Sequence, residues 1–155
     1  MRILGSLALL LLSANAHSQI EVSEFDWEWK SRVDSALVLI EDIDSSRYHF
    51  LEDNCNKIQF WIFEFSSIVE NGTILVPQGE VKYGSIESIS GVIVRESMRL
   101  NLCNNLIQMD EETEEIFCRL YELDFLLKVP DIEYDLIEEA RGKISDYLEN
   151  KKPQE

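Results

Sequence analysis

Apolar positions recur along this chain at helical spacing. Tyr48, Leu51, Cys55, Ile58, Ile62, Phe65 and Val69 follow one another in alternating steps of three and four. Such steps keep a stripe on one face of an α-helix. Phe60, Trp61 and Phe63 widen it, so the pattern predicts a central helix from Tyr48 to Val69, covered on more than one side. Asn71-Gly72 would stop it, because glycine accepts the left-handed conformation of a C-cap. Upstream, Ser23 with Asp26 three residues on forms a capping-box-like pair. A first helix from about Glu24 to Ile43 would turn Trp27, Val33, Leu37 and Ile40 inward, and Asp44-Ser45-Ser46 breaks it.

The second half repeats the theme. Ser85 can cap a helix from about Ile86 to Met109, with Ile89, Ile93, Leu100, Cys103 and Ile107 as its stripe. Asp110 can cap the next, where Glu111, Glu112, Glu114 and Glu115 complement the positive end of the helix dipole. Its buried face would be Ile116, Leu120, Leu123 and Leu127. After Val129-Pro130, Asp131 can cap a last helix burying Leu136, Ala140, Ile144 and Leu148. The expected fold is all-α, a single-domain bundle of about five helices, with a polar, disordered tail after about residue 150.

One stretch resists this pattern. Ile74 to Ile86 reads ILVPQGEVKYGSI, with one proline, two glycines and one tyrosine. Its β-prone start suggests a short extended piece, and the remainder predicts a long irregular loop. Long loops between bundle helices are uncommon and often functional. Gly79, Glu80, Lys82, Tyr83 and Gly84 are therefore the candidate partner-binding residues, tyrosine being frequent among interface hot spots. The alternative is a connector that packs Pro77 and Tyr83 over the bundle's end.

Arg2, the apolar run Leu7 to Leu12 and Ala14-Asn15-Ala16 have the form of a secretory signal peptide over residues 1–16. Residues 17–155 would then form one helical domain. A periplasmic location fits best, with extracellular secretion as the alternative. The whole chain has 14 basic and 30 acidic side chains, and loss of Arg2 leaves 13 against 30, net −17. That charge disfavours nucleic acid and anionic lipid. It serves solubility, and it would also steer the protein toward a basic partner. Beyond the signal, no apolar run is long enough to span a membrane.

Cys103 and Cys118 stand about equally far before and after the turn near Asp110. An antiparallel helix pair would set them at one height, so a Cys103–Cys118 disulfide is expected, contributing about 3 kcal/mol. Cys55 would then be a small buried apolar residue. Pairing of Cys55 with either, or between molecules, remains open at this level. No CxxC pair occurs.

Catalytic signatures are sparse. The sequence contains no G-x-S-x-G, Walker A, GxGxxG or HExxH pattern. His49 and Cys55 lie six apart, which is not one helix face. Histidine and cysteine are too few for a zinc site, so neither a metal nor another cofactor is expected. Carboxylate pairs such as Glu52 with Asp53 are explained by a solvated face. Of Trp27 and Trp29, one should enter the core and the other stay partly exposed. Asn71-Gly72-Thr73 is a glycosylation sequon.

The segments Val76-Pro77-Gln78-Gly79 and Val81-Lys82-Tyr83-Gly84-Ser85-Ile86 resemble a bacterial family. They are similar to the loop and helix start of small periplasmic helical immunity proteins, which neutralise peptidoglycan-amidase toxins of type VI secretion. Cys55 resembles that family's helix cysteine, and Phe117-Cys118 its closing element. The resemblance implies a non-catalytic inhibitor that occludes a toxin's active site and can act as a homodimer. The residues alone suggest an exported helical binding protein that is not an enzyme. Its alternative is a carrier of a small apolar ligand between helices near Phe60, Trp61 and Phe65.

Overall fold

From Lys57 to Trp61 the chain satisfies two periodicities, and the structure resolves the competition in favour of the strand. In the computed structural model, which describes residues 20–23, 26–69 and 71–150, the helix that begins at Ser45 ends at Asn54. Cys55 caps it, its N–H donating to the Leu51 carbonyl. Lys57–Trp61 then continues as a strand, with Ile58 and Phe60 buried and Gln59 exposed between them. This is the period-two pattern of a pleated strand, in a run of β-branched and aromatic residues. The predicted six-turn helix is therefore a ten-residue helix followed by a strand.

The elements in order are β1 (Glu21–Val22), α1 (Trp27–Ile43), α2 (Ser45–Asn54), β2 (Lys57–Trp61), β3 (Ser67–Val69), β4 (Thr73–Pro77), α3 (Gln78–Tyr83), α4 (Ile86–Asn104), α5 (Glu111–Leu126) and α6 (Tyr134–Asn150). The protein is mostly helical, but it is not an all-α bundle. A four-stranded mixed sheet, ordered β1-β2-β4-β3, runs through it. β1, β2 and β4 are parallel, and β3 is antiparallel to β4. Every residue of β4 is buried, as expected of a parallel strand covered on both faces. So the short extended piece expected at Ile74 to Val76 is part of a central strand, held in a sheet by β2 and β3 and not isolated. Gly72, at φ 79°, makes the turn into it. Its left-handed backbone serves a hairpin and not a helix C-cap.

Several helix boundaries follow the sequence. Ser85 caps α4 by accepting from the Ser88 N–H, and Asp110 caps α5 by accepting from the Thr113 N–H. Asp26, and not Ser23, caps α1, because Ser23 lies beside the sheet and donates its N–H to the Ile58 carbonyl. α4 stops at Asn104, short of Met109, where Leu106 takes a positive φ of 53°. Asp131 also adopts a positive φ, 54°, and α6 starts later, at Tyr134.

α4 is the central helix, packing on α1, α2, α5 and β4, while α5 lies between α4 and α6. Residues 89–97 of α4 are buried on every side. Phe125, Ile40, Leu51, Ile58, Ile74 and Ile93 form the middle of the core. Val33, Leu37 and Ile40 of α1 are buried as predicted, and Trp27 is exposed while Trp29 packs edge-on against Phe60. The predicted face of α5 is displaced. Leu120 and Leu127 are exposed, and Cys118, Glu122, Phe125 and Leu126 are buried instead. Leu148 of α6 and Ile107 are likewise exposed.

Among the described residues no helix is long and apolar enough to cross a membrane. The expected signal peptide over residues 1–16 and the expected tail after about residue 150 lie outside the described residues, apart from Asn150 at the end of α6.

Candidate functional site

The parallel strands β2 and β4 end together, with Trp61 in register with Pro77. Two segments gather at that end. One is the bend 62–66 that leads from β2 to β3, and the other is α3, which follows β4 directly. Open sheets of parallel strands bind ligands at their carboxyl ends. Here that end is aromatic and uncovered: Ile62 is 76% exposed, Phe63 49%, Phe65 61% and Tyr83 78%. Trp61, Phe63 and Phe65 form a run of rings, with centroids 4.7 and 5.8 Å apart.

Between the bend and α3 lies a groove of about 520 Å³, with Trp29, Ile62, Phe63, Pro77 and Tyr83 on its walls. Gly79, Glu80, Lys82 and Tyr83, four of the five residues singled out from the sequence, also line it. They do so from a helix and not from an irregular loop. Val81 is buried as that helix's anchor. Gly84 ends α3 and is half-buried, its N–H donating to the Glu80 carbonyl. A β-carbon at position 84 would stand 2.7 Å from that carbonyl oxygen, which excludes any side chain without movement.

Arg32 holds α3 in place. Its Nε donates to the Val81 carbonyl at 2.6 Å, and its Nη2 donates to the Gly84 carbonyl. A cation bonded to the last carbonyls of a helix satisfies groups the helix leaves unpaired. Ser88 of α4 adds a hydroxyl donated to Glu80. The Lys82 ammonium lies 4.9 Å from the Tyr83 ring centroid, a cation–π contact. Arg32 was not legible in the sequence, since only the folded chain brings it near α3.

Beyond Glu80 the groove meets a polar cleft of about 590 Å³, between the bend, α4, α5 and α6. Its floor is a closed ring of alternating charges. Arg95 pairs with Glu96 at 3.0 Å and with Glu122 at 3.2 Å. Arg119 pairs with Glu122 at 3.0 Å and Glu115 at 2.9 Å. Arg99 closes the ring between Glu115 and Glu96. Ser66 in the bend donates its hydroxyl to Glu96 at 2.6 Å and accepts from Arg95. The ring thus ties the bend to the helices.

Burial alone would raise the Glu96 carboxyl, but Arg95 and Arg99 prevail and hold it below the ordinary glutamate value. Burial opposes the charge on Arg95, and Glu122 and Glu96 prevail in keeping it protonated. Buried ions need such partners on every side.

Comparison with protein-family models, with curated proteins and with solved structures finds no match to this chain.

The cysteines are all free thiols, and the expected Cys103–Cys118 bridge is absent. The expected equal height fails because α4 ends at Asn104, ahead of the expected turn, so that Cys118 stands level with Glu96 and Arg99. Leu102 is buried, while Cys103, one residue further round α4, points to solvent. Cys118 is buried, and burial pushes its thiol up to about 12. Cys55 closes α2 and is not inside a helix. Its Sγ donates to the Lys57 carbonyl, and burial pushes it up to about 11. His49 stays exposed and faces Glu52 at 3.1 Å. Among the described residues the structure brings neither a histidine to a buried thiol nor three metal-ligating side chains together.

Proposed function

We propose that this chain is an exported binding protein that inhibits a secreted enzyme by covering its active site. In the reading the sequence resemblance implies, it is a periplasmic immunity protein against a peptidoglycan-amidase toxin. What supports the binding role is one observation: Ile62, Phe63 and Tyr83 stand exposed together around one groove on a well-anchored scaffold, with Phe65 exposed beside them and stacked on Phe63. Clustered aromatic side chains in a water-excluding groove are the usual anchors of protein interfaces.

The test is capture of a secreted enzyme from periplasmic extract, followed by titration with the Phe63→Ala/Tyr83→Ala double variant. The affinity should fall at least about a hundredfold, as for two hot-spot residues, with the circular dichroism spectrum unchanged. Equal affinities would remove this face from the contact. Turnover of a substrate by the purified chain would contradict the inhibitor role itself.

A second reading is a carrier of a small apolar ligand. The groove volume falls within the range of small-molecule sites. The region near Phe60 expected from the sequence does not serve it, because Phe60 is buried against Trp29. A neutral aromatic compound that co-purifies and blocks the groove would favour this reading.

A further inference from the structure

The groove and the cleft share Glu64, Pro77 and Glu80 in their walls. They are the two ends of one trough, and the ends differ in chemistry. The groove end is aromatic and aliphatic. The cleft end is lined by eight glutamates against three arginines and one lysine. All three arginines are committed to the charge ring. Glu64, Glu111 and Glu139 make no ion pair among the described residues, and Lys143 is the one lining cation in none. Glu64 and Glu80 stand at the junction of the two ends.

The geometry points to one occupant: a short segment of a partner polypeptide carrying an aromatic or large aliphatic side chain followed closely by Lys or Arg. This rests on the protein-binding reading above and names the partner's chemistry. The apolar side chain fills the space between Trp29, Phe63 and Tyr83. The cation passes Glu64 and Glu80 into the acidic cleft, where few competing positive charges are free. An anionic segment would meet repulsion along the same path. A second copy of this chain, with a net charge of −16, would bring like charge to like. Lys82, over the Tyr83 ring, lines the groove end of the trough, so its positive charge opposes the approach of a basic segment.

The probe is the hexapeptide Ser-Trp-Ser-Lys-Arg-Ser-amide, carrying fluorescein on its N-terminal amine, titrated by anisotropy against the full chain as purified. Two counterparts carry Glu in place of Lys and Arg, or Ala in place of Trp. The basic peptide should bind saturably, with both counterparts at least about tenfold weaker. Glu64→Gln/Glu80→Gln should weaken it about fivefold, and added salt should weaken it further. Lys82→Ala should tighten it about twofold, a change of sign that a merely structural role would not produce.

No saturable binding of the basic peptide, or equal binding of the basic and acidic peptides, overturns the inference. If that happens while the Phe63→Ala/Tyr83→Ala variant still loses its enzyme partner, the protein-binding reading stands and only the assigned chemistry falls. Loss of both results removes the reading as well.

Discussion

At the residue scale, the cysteines and the charge ring give the sharpest expectations. Cys55 and Cys118 are buried with raised thiol pKa values, and Cys103 is exposed. Thiolate, and not thiol, is the reactive form. Iodoacetamide applied to the native protein at pH 8 should therefore add a single adduct, at Cys103, and three after unfolding. A Cys103–Cys118 bridge would appear in intact mass as no native adduct at Cys103 and only one after unfolding. Glu96 carries the second expectation. Glu96→Gln leaves Arg95 and Arg99 short of a buried counter-charge and should cost about 3 kcal/mol. Because the folded-state pKa of Glu96 is depressed, its stabilisation is complete above the unfolded value of about 4.3. It is lost as pH falls through the lower folded value. Melting temperature should thus hold from pH 7 to about 5.5 and then drop on acidification, less steeply in Glu96→Gln. A melting temperature that rises on acidification would contradict the pairing.

At the element scale, α3 depends on contacts that lie outside it. A helix of six residues is too short to be stable alone. Arg32 secures its last carbonyls, and Gly84 lets the chain turn closely past Glu80. Arg32→Gln should speed amide hydrogen exchange across residues 78–84 while α4 and α5 stay protected. Uniform acceleration over the molecule would show global destabilisation instead. The same element shows how far sequence reading reached. Pro77, Gly79 and Gly84 signalled an interruption, and the four groove residues were legible as candidates. The interruption's β-prone start was legible as an extended piece, but its place inside a sheet was not, because that depends on partners β2 and β3 elsewhere in the chain, and neither was the helix α3 that follows. The stripe from Tyr48 to Val69 misled for a related reason. Ile58 satisfies the helical and the strand periods at once, and only pairing with β4 decides between them.

At the scale of the whole molecule, the mostly helical character, the caps at Ser85 and Asp110 and the final two helices could be read from local signals. The mixed sheet, the outward turn of Leu120 and the inward turn of Glu122 could not. Glutamate on a helix face ordinarily signals solvent. It is buried here because Arg95 and Arg119, 27 residues before and three residues before it, meet it from α4 and α5. The resulting architecture leaves the carboxyl end of the sheet open, between a bend tied down through Ser66 and a helix tied down through Arg32. The central claim is that this open end, with its aromatic groove, is where another protein sits. Hydrogen exchange of the complex with its captured enzyme partner tests that most directly. The account predicts new protection concentrated in residues 62–66 and 78–84, with the outer face of α2 unchanged. Protection that spares both segments and appears elsewhere would contradict it.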